Sequence, residues 1–185
     1  AGLAEEREVC RRWHDVPLLA ISEIQGATDT SPYDGMTVET TGNIVTVVTP
    51  DGFYMQAPTV TRDGDPATSE GIFVFSDAVV AVGDMVDVTG LVDEYFGLTE
   101  FPDNPEVNVT SSGNARPDAT VLDLSQTPTT PSDPPYMERF EGMLLSFTNA
   151  TAAGPTDQFG TTGLVLTTSL PFREAGIEYP GMMGL

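Results

Sequence analysis

The stretch from residue 52 to residue 100 restricts the fold more than any other part of the chain. It contains three short runs in which apolar and polar residues alternate, namely residues 52–56, 71–75 and 85–95. Clusters of Asp, Gly and Pro separate these runs. Alternation with a period of two, bounded by turn-forming residues, is typical of antiparallel strands joined by loops. The pattern therefore predicts an all-β domain.

A further pair of strands and two glycines complete the predicted architecture. We expect strands at residues 20–24 and 36–48, joined through the turn-forming sequence SPYDG at residues 31–35. Gly42 and Gly90 lie inside predicted strands, where a glycine commonly marks a bulge that lets one long strand bend. Five strands with two such bends predict an OB-type five-stranded Greek-key barrel.

The chain divides into four predicted segments. Residues 1–19 form a lead-in with a short N-terminal helix, because residues 2–14 are rich in helix formers, with acids early and arginines late. The barrel follows at residues 20–112. A Pro/Thr-rich connector, too stiff and polar for a core element, occupies residues 113–135. Residues 136–185 are predicted to hold a partial second β unit.

The second unit is predicted from a weak internal sequence repeat. The sequence FEGM at residues 140–143 repeats the pattern of YDGM at residues 33–36, and strand-forming residues follow each. If the repeat is genuine, residues 136–185 are the opening strands of a truncated second barrel. The alternative is that these strands complete or flank the first barrel.

The charge of the chain limits its partners. The formal net charge is -21, and the seven basic residues are all arginine. Residues 15–110 carry seventeen acidic residues and a single basic one, Arg62. Nucleic-acid affinity depends largely on basic side chains that displace counterions from phosphates, so tight DNA binding without divalent cations is disfavoured. An acidic surface is equally expected of a protein that needs only high solubility.

Cysteine and histidine are too few for several kinds of site. Cys10 is the only cysteine, which excludes an internal disulfide. Together with the only histidine, His14, it fits neither a zinc knuckle nor a catalytic Cys/His pattern. No run of about 18 apolar residues is present to span a bilayer, and no signal segment is visible at the N-terminus. We expect no membrane insertion, and a mature secreted protein would have this sequence character.

The loop and strand at residues 63–75, DGDPATSEGIFVF, carry a resemblance to a known family. Together with IQG at residues 24–26 and GFYMQ at residues 52–56, they resemble the OB-fold-like domain of bacterial extracellular nucleases, with less specific matches over residues 20–150. In that family the domain precedes a catalytic domain of the endonuclease/exonuclease/phosphatase class, and EGM at residues 141–143 is similar to the stretch between the two. The resemblance implies a secreted, DNA-degrading parent protein whose Mg²⁺ chemistry lies in the C-terminal catalytic domain.

The residues of this chain do not provide that chemistry. Metal-dependent phosphodiester hydrolysis of that class needs carboxylates on a divalent ion and histidine to handle protons. A single histidine in a predicted N-terminal helix does not supply the set. We therefore expect this chain to be non-catalytic and the full-length parent to be the enzyme.

Aromatic residues are the candidate contacts for single-stranded DNA. An OB barrel stacks bases on aromatic side chains of its second and third strands. Strand alternation must turn about half of the side chains inward, so core packing is the competing interpretation for each Phe. The candidates are Tyr54, Gln56, Phe73, Phe75 and Tyr95, of which Tyr54 and Gln56 share one face of a strand.

The loop before the third run offers oxygen ligands for a metal ion. Asp63, Asp65 and Glu70 lie close together in sequence, and Ca²⁺ prefers carboxylate oxygens. The spacing is not that of an EF-hand, and loops of Asp, Gly and Thr are commonly ordinary turns held by side-chain hydrogen bonds. If this loop binds a cofactor, calcium is the one that its oxygen ligands favour.

The sequence thus favours an accessory role. We expect a module of a secreted nuclease that positions the catalytic domain of the same polypeptide, or single-stranded DNA with divalent cations. The alternative is an extracellular acidic domain, stabilised by calcium, that binds protein or polysaccharide and has no role with nucleic acid. A complete hydrolase built on carboxylate pairs is less favoured, because such pairs resemble solvated acids at this charge density.

Overall fold

The protein is described by a computed structural model over residues 16–122, 136–148, 151–152, 155–156 and 164–165. The chain divides into two compact units, Ala1–Ser146 and Phe147–Leu185. No helix in these described ranges is long and apolar enough to cross a membrane. Some predicted features lie outside the described residues: the helix at residues 2–14 with Cys10 and His14, most of the connector, and much of the second β unit.

Among the described residues, the first unit contains one α-helix and a seven-stranded mixed sheet. The helix is α1 (Ile21–Gln25), and short 3-10 helices lie at Thr59–Thr61 and Glu138–Phe140. The sheet has the strand order β5-β6-β3-β2-β1-β4-β7. Its strands are β1 (Thr37–Thr49), β2 (Gly52–Gln56), β3 (Gly71–Phe75), β4 (Met85–Leu91), β5 (Asp93–Glu94), β6 (Thr99–Phe101) and β7 (Glu106–Ser111).

Two smaller strand pairs accompany the sheet. In the first unit, β8 (Thr120–Val121) pairs in parallel with β9 (Leu145–Ser146). In the second unit, β10 (Thr151–Ala152) pairs antiparallel with β11 (Leu164–Val165). The predicted β class is therefore confirmed, and the three alternating runs of the sequence are β2, β3 and the combination of β4 with β5.

The strand pairings give residues 85–94 a special position. All pairings in the sheet are antiparallel except that of β3 with β6. Only Val92 separates β4 from β5. β4 pairs with β1, whereas β5 pairs with β6, so one nearly continuous segment borders two strands that are not neighbours in the sheet order.

The bend predicted at Gly42 is confirmed. The register between β1 and β4 shifts between Thr40 and Asn43. Gly42 has a φ of 72°, a value that side-chain-bearing residues rarely adopt. Its N–H donates a hydrogen bond to Asp87 Oδ1 at 2.9 Å, which holds the bulge in place. The glycine is therefore required by the backbone conformation.

The prediction of a bend at Gly90 is wrong. Gly90 pairs in register with Val38, and no irregularity occurs there. A glycine is needed there because Pro105 packs closely against the backbone of Gly90, and an added Cβ would lie 2.6 Å from Cβ of Pro105. Sequence alone does not distinguish these two uses of a strand glycine.

Residues 20–24, predicted as a strand, form most of α1 instead. Ile21 and Ile24 are both fully buried, and a spacing of three places them on one helix face. Ala20 N donates a hydrogen bond to Glu23 Oε2 at 2.8 Å at the start of the helix. The five residues AISEI, with two polar residues among three apolar ones, are too short a segment to distinguish a helix from a strand, so packing decided between them.

The hydrophobic core is built from alternate residues of the strands together with α1. Phe53 and Met55 of β2 are fully buried, as are Ile72 and Val74 of β3. Burial of each such side chain stabilises the fold by about 1.5–3 kcal/mol. Because strand side chains alternate, the other residues of β2 and β3 lie on the opposite, outer face of the sheet.

Candidate functional site

One row of side chains crosses five strands on the outer face. Val47 pairs with Tyr54, Tyr54 with Phe73, Phe73 with Glu100, and Glu100 with Asp93. Paired residues place their side chains on the same face of a sheet. We call these five residues the outer row. It brings together two of the predicted contact residues and two acids that are distant from them in sequence.

Aromatic rings occupy the middle of the outer row. The ring centroids of Tyr54 and Phe73 lie 4.8 Å apart. The Phe73 ring also lies over the backbone of Gly52, since an added Cβ there would be 3.1 Å from Cζ of Phe73. Phe73 is therefore only 9 % exposed, whereas Phe75, two residues along the same face, is 44 % exposed. Phe75 and the half-buried Tyr54 are the accessible aromatic residues of this face.

Glu100 adds an acidic residue next to the aromatic rings. The residue as a whole is 6 % exposed, but its carboxylate oxygens are not among the buried side-chain atoms of the described residues that lack a hydrogen-bond partner. Burial raises the pKa of Glu100, and the charges of Asp93 and Asp103 raise it further. Burial also raises the pKa of Tyr54, with further contributions from the charges of Glu141 and Glu100. Along the outer row, the aromatic residues Tyr54 and Phe73 are therefore followed by the acidic residues Glu100 and Asp93.

Residues 136–146 pack against the sheet, and we call this segment the strap. Leu144 N donates a hydrogen bond to Gln56 Oε1 at 2.8 Å. The Ser69 hydroxyl donates to the carbonyl oxygen of Glu141 at 2.5 Å. These contacts are the ones expected if the strands of this region flank the first unit, the alternative that the sequence left open.

The strap contains the turn at residues 140–143, whose sequence repeats the pattern of residues 33–36. The turns at residues 33–36 and 140–143 are each closed by a hydrogen bond from the fourth residue's N–H to the first residue's carbonyl, at 2.9 and 3.1 Å. The third residue of each turn is a glycine with positive φ, 75° at Gly35 and 66° at Gly142. The two sequences therefore share a backbone conformation, and in both cases a strand follows.

Glu141 is the strap residue whose ionisation is most perturbed. Its Oε1 accepts hydrogen bonds from Thr99 N at 2.9 Å and from Gln25 Nε2 at 3.2 Å. Burial raises the pKa of Glu141 to about 7. The charges of Glu138 and Glu94 add to this rise, while the two hydrogen bonds oppose it. The carboxyl therefore changes charge near neutral pH.

Glu94 is a second carboxylate that contacts Thr99. Its Oε1 accepts hydrogen bonds from Ser31 N at 2.6 Å and from the Thr99 hydroxyl at 2.7 Å. Its Oε2 is buried and has no hydrogen-bond partner among the residues described. Thr99 thus links two acids, Glu94 through its hydroxyl and Glu141 through its amide.

Gln56 anchors the strap and is not displayed to a ligand. Its side chain is fully buried, and its Oε1 is held by Leu144 N. Its Nε2 is buried without a partner in the described ranges. Gln56 shares a face with Tyr54, as expected from strand alternation, but the strap lies over it.

Tyr95 lies in the turn between β5 and β6 and not in the outer row. Tyr95 and Leu98 are joined by two backbone hydrogen bonds, at 3.0 and 3.1 Å. Phe96 and Gly97 both have positive φ, 54° and 79°, as in a tight hairpin turn. The rings of Tyr95 and Phe96 touch edge to face with centroids 4.7 Å apart, and the two residues are 57 % and 94 % exposed. This aromatic tip is a separate surface feature.

The predicted calcium loop is held by hydrogen bonds from its own residues. Asp63 accepts from Asp65 N at 2.7 Å and from the Thr68 hydroxyl at 3.0 Å, while Glu70 Oε1 accepts from Asp63 N at 2.8 Å. Burial opposes the change, but the hydrogen bonds from Asp65 and Thr68 lower the pKa of Asp63. Burial raises the pKa of Glu70. No group of three or more His, Cys, Asp or Glu side chains is arranged to hold a metal ion within the described residues.

Calcium binding by Asp63, Asp65 and Glu70 stays a prediction with a direct test. A ligand that binds only the folded state raises its stability by about 1.4 kcal/mol when present at ten times its Kd. Calcium at millimolar concentration is therefore expected to raise the Tm of the wild type, and Asp65→Asn should weaken this rise. Thermal unfolding in Ca²⁺ and in chelator provides the measurement. Equal Tm values in both buffers would remove the three residues as calcium ligands.

Comparison with known proteins assigns no family. No protein-family model matches the chain, and no curated protein is similar to it. The resemblance to the OB-fold-like nuclease domains therefore stays a prediction.

Sequence reasoning missed the acids that surround the aromatic rings. Glu100 and Asp93 are two of 28 acidic residues, and no local pattern distinguishes them. Glu141 did carry a signal, because it lies in the echoed turn at residues 140–143. That signal indicated a strand and turn, and it gave no indication that the carboxyl would be partly buried and bonded to Thr99.

Proposed function

We propose that this chain is a non-catalytic OB-type module of a secreted, DNA-degrading nuclease, and that it positions the catalytic domain or its substrate. Strand pairing is the observation that carries the proposal. β1, β2 and β3 pair in sequence, β1 also pairs with β4, and β3 pairs in parallel with β6. If β4 and β5 are taken as one strand interrupted at Val92, these pairings support an OB-type arrangement of five strands.

The composition of the chain supports a positioning role over a catalytic one. The sequence has one histidine, whereas the nuclease chemistry implied by the resemblance uses histidine and metal-bound carboxylates together. The resemblance also places a catalytic domain after this module. We therefore propose the catalytic domain of the same polypeptide as the partner, and an extracellular location for both.

The charge of the outer row sets the conditions under which DNA can bind. Glu100 and Asp93 lie in the same row as Tyr54, the ring on which a base would stack. Phosphates approaching this face are repelled unless cations offset the charge. We therefore propose that contact with single-stranded DNA depends on Ca²⁺ or Mg²⁺.

Fluorescence anisotropy of labelled DNA tests this proposal. We expect saturable binding of single-stranded DNA at low salt with a divalent cation, and none with chelator. Stacking of one base contributes about 1–3 kcal/mol, so Tyr54→Ala should weaken binding roughly fivefold or more. Phe96→Ala is the matched control, because this exposed aromatic residue lies in the β5–β6 turn and outside the outer row.

Two results would contradict the proposal in different ways. An absence of DNA binding in every buffer would remove substrate contact and leave only the positioning of the catalytic domain. Nuclease activity of the purified chain that is lost with chelator, and also lost on a point substitution within it, would overturn the non-catalytic assignment. The point substitution matters because it excludes a contaminating nuclease.

A second candidate function is supported by the same face. An acidic extracellular domain that contacts protein or polysaccharide needs no phosphate-binding groove. The two acids Glu100 and Asp93, which pair across neighbouring strands, favour a partner that carries positive charge. In this case the module is expected to give no cation-dependent DNA binding.

A further inference from the structure

The contacts that seat the strap on the sheet converge on two neighbouring residues. The carbonyl oxygen of Glu141 accepts the Ser69 hydroxyl at 2.5 Å, and its Oε1 accepts Thr99 N at 2.9 Å. The backbone of Gly142 lies against Gly71, since a Cβ added to Gly71 would be 2.4 Å from it. The backbone on both sides of the Glu141 side chain is therefore held in place while the strap is seated.

Acidic residues meet at this seat. Glu94 contacts Thr99 through the threonine hydroxyl at 2.7 Å, and Glu141 contacts the same residue through its amide. Glu94 Oε2 is buried and has no hydrogen-bond partner among the described residues. The charge of Glu138, also in the strap, acts on Glu141 as well. A seated strap with an ionised Glu141 therefore brings like charges together in a partly desolvated place, and protonation of Glu141 removes that cost.

We propose that the strap is a pH-sensitive closure of the outer face, seated while Glu141 carries a proton and released when Glu141 is ionised. The seated strap covers Gln56, whose Oε1 accepts Leu144 N at 2.8 Å. Gln56 shares its face with Tyr54, so release extends the surface that the outer row presents. The β8–β9 pair contains no titratable side chain, and it keeps the released strap attached. The regulatory role of the closure rests on the proposed contact function of this face, whereas the closure itself does not.

The direction of the switch follows from the two states of the Glu141 carboxyl. In the seated state burial raises its pKa to about 7, the charges of Glu138 and Glu94 add to the rise, and hydrogen bonds from Thr99 and Gln25 oppose it. In the released state the carboxyl is hydrated, and its pKa returns towards the ordinary value of 4.5. The seated state therefore keeps a proton that the released state loses as the pH rises between these values. Closure is favoured at acidic pH and weakens towards neutral and alkaline pH.

The elements around Glu141 supply neutral donors and further acids. The donors are Gln25 Nε2 of α1 and Thr99 N of β6. The guanidinium of Arg139 lies over the Tyr136 ring, 4.9 Å from its centroid. The titratable and charged groups of these elements are Glu23 of α1, Tyr54 of β2, Asp93 and Glu94 of β5, Glu100 of β6, Tyr136, Glu138 and Arg139 of the strap, and Arg62, Asp63, Asp65 and Glu70 of the loop that contains Ser69. Most of them are acids, so ionisation of Glu141 adds charge to an already negative region.

Hydrogen exchange between pH 5 and pH 8 tests the inference, with each rate divided by the intrinsic rate at that pH. The Leu144 amide reports on the strap, the Thr99 amide on the Glu141 carboxyl, and the amides of β2 on global unfolding. We expect protection of Leu144 and Thr99 to fall about tenfold over this range, a value reduced for a partly buried carboxyl. Both amides should be less protected than those of β2 and nearly insensitive to low urea concentrations, as expected of a local opening.

Two variants and a control isolate the charge of Glu141. Glu141→Gln should keep the Leu144 amide protected at pH 8, because the amide oxygen still accepts hydrogen bonds and carries no charge. Glu94→Gln leaves Glu141 in place and should reduce the pH-dependent loss of protection to a few-fold, since one like charge is gone. Glu106→Gln removes the same charge from an exposed residue of β7 and should retain the wild-type behaviour.

Trypsin cleavage after Arg139 gives an independent measure, because this residue is partly buried in the seated strap. Cleavage of a locally opened segment follows the population of the open form when opening is fast. A free peptide of residues 136–146 supplies the intrinsic cleavage rate at each pH. Relative to that peptide, cleavage of the wild type should rise several-fold from pH 6 to pH 8, and cleavage of Glu141→Gln should not.

Three results would overturn the inference. Loss of protection at Thr99 without loss at Leu144 would show that the Glu141 carboxyl turns to solvent while the strap stays seated. Equal protection and equal urea dependence of Leu144 and the β2 amides would show that the strap leaves only on global unfolding. Equal effects of Glu141→Gln and Glu106→Gln would show a response to overall charge.

The inference and the proposed function fail in distinguishable ways, because none of these measurements uses DNA. Release of the strap with rising pH, in a chain that binds no DNA in any buffer, would support the closure and remove substrate contact. Cation-dependent DNA binding by a chain whose strap is equally protected at pH 5 and pH 8 would overturn the inference alone.

Discussion

Gly71→Ala is expected to destabilise the first unit by about 2 kcal/mol, because overpacking of a tight contact typically costs about 1–3 kcal/mol. An alanine Cβ at this position would lie 2.4 Å from the carbonyl carbon and oxygen of Gly142. The obstacle is backbone, so it cannot move aside as a flexible side chain would. Either β3 or the strap must shift, and a shift of the strap separates Leu144 N from Gln56 Oε1. Gln56, already buried, would then lose the hydrogen bond of its oxygen.

Thermal and urea unfolding measure the effect of Gly71→Ala. For a unit of this size, 2 kcal/mol corresponds to a fall in Tm of roughly 5–10 °C. Gly64→Ala is the control, because Gly64 has a φ of 78° and an added Cβ there meets no atom within 4 Å. It should lose only about 1 kcal/mol, the cost of a positive φ in a residue with a side chain. A Tm for Gly71→Ala equal to that of Gly64→Ala would contradict tight packing of the strap on β3.

The stability of the first unit is expected to fall by about 1–2 kcal/mol between pH 5 and pH 8, largely through Glu141. The pKa of Glu141 in the folded state is about 7, above the ordinary value of 4.5. Between the two pKa values, 4.5 and about 7, the folded state keeps a proton that the unfolded state releases. The free energy of unfolding therefore falls as the pH rises through this range. The estimate includes a reduction for solvent screening, since the carboxyl is only partly buried.

Glu138 and Glu100 are expected to lower the stability over the same pH range, whereas Asp63 and Asp84 are not. The pKa values of Glu138 and Glu100 are raised, first by burial and then by nearby acids, so both contribute with the same sign. Hydrogen bonds lower the pKa values of Asp63 and Asp84, so their contributions are lost only as the pH falls below about 4. The expected profile therefore has its maximum at mildly acidic pH.

Glu141→Gln is expected to flatten this pH dependence. The amide oxygen still accepts hydrogen bonds from Thr99 N and Gln25 Nε2, while the titrating charge is gone. Its NH₂ group also brings donors to a region where Glu94 Oε2 is buried without one among the described residues. The variant should be more stable than the wild type at pH 8 and differ little from it at pH 5. Urea unfolding at four pH values provides the measurement.

Glu106→Gln is again the control, since it removes the same charge from an exposed position on β7. It should retain the pH slope of the wild type. Equal slopes in the wild type and Glu141→Gln would show that Glu141 does not titrate in this range. A slope of opposite sign in the wild type would show that carboxylates with lowered pKa values dominate the whole range.

Local patterns in the sequence identified most of the strands. The alternation at residues 52–56 and 71–75 gives the bounds of β2 and β3, because both strands have one buried face and one outer face. Gly42 was recognised as a bend, since a positive φ inside a strand needs glycine. Residues 20–24, AISEI, were misassigned because a segment of five residues with three apolar ones has too few positions to show its period.

The candidate site could be predicted only in part. Tyr54 and Phe73 were visible as aromatic residues of two predicted strands, and alternation indicated their possible faces. Phe73 is held at 9 % exposure by its position over Gly52, a cross-strand contact that no single segment encodes. Gln56 was expected beside Tyr54, but the strap, 88 residues further along the chain, uses its side chain as an acceptor.

The sequence by itself determined the β class, the strand periods, the turn glycines and a charge that opposes unaided contact with phosphates. Each of these depends on composition or on residues that are close together in the chain. Only the tertiary structure decided that Glu100 pairs with Phe73 and Asp93, and that the partly buried Glu141 accepts a hydrogen bond from Thr99. The physical reason is that strand register and desolvation are set by contacts between distant segments, so an acid that is equivalent to many others in sequence becomes distinct only when its neighbours are in place.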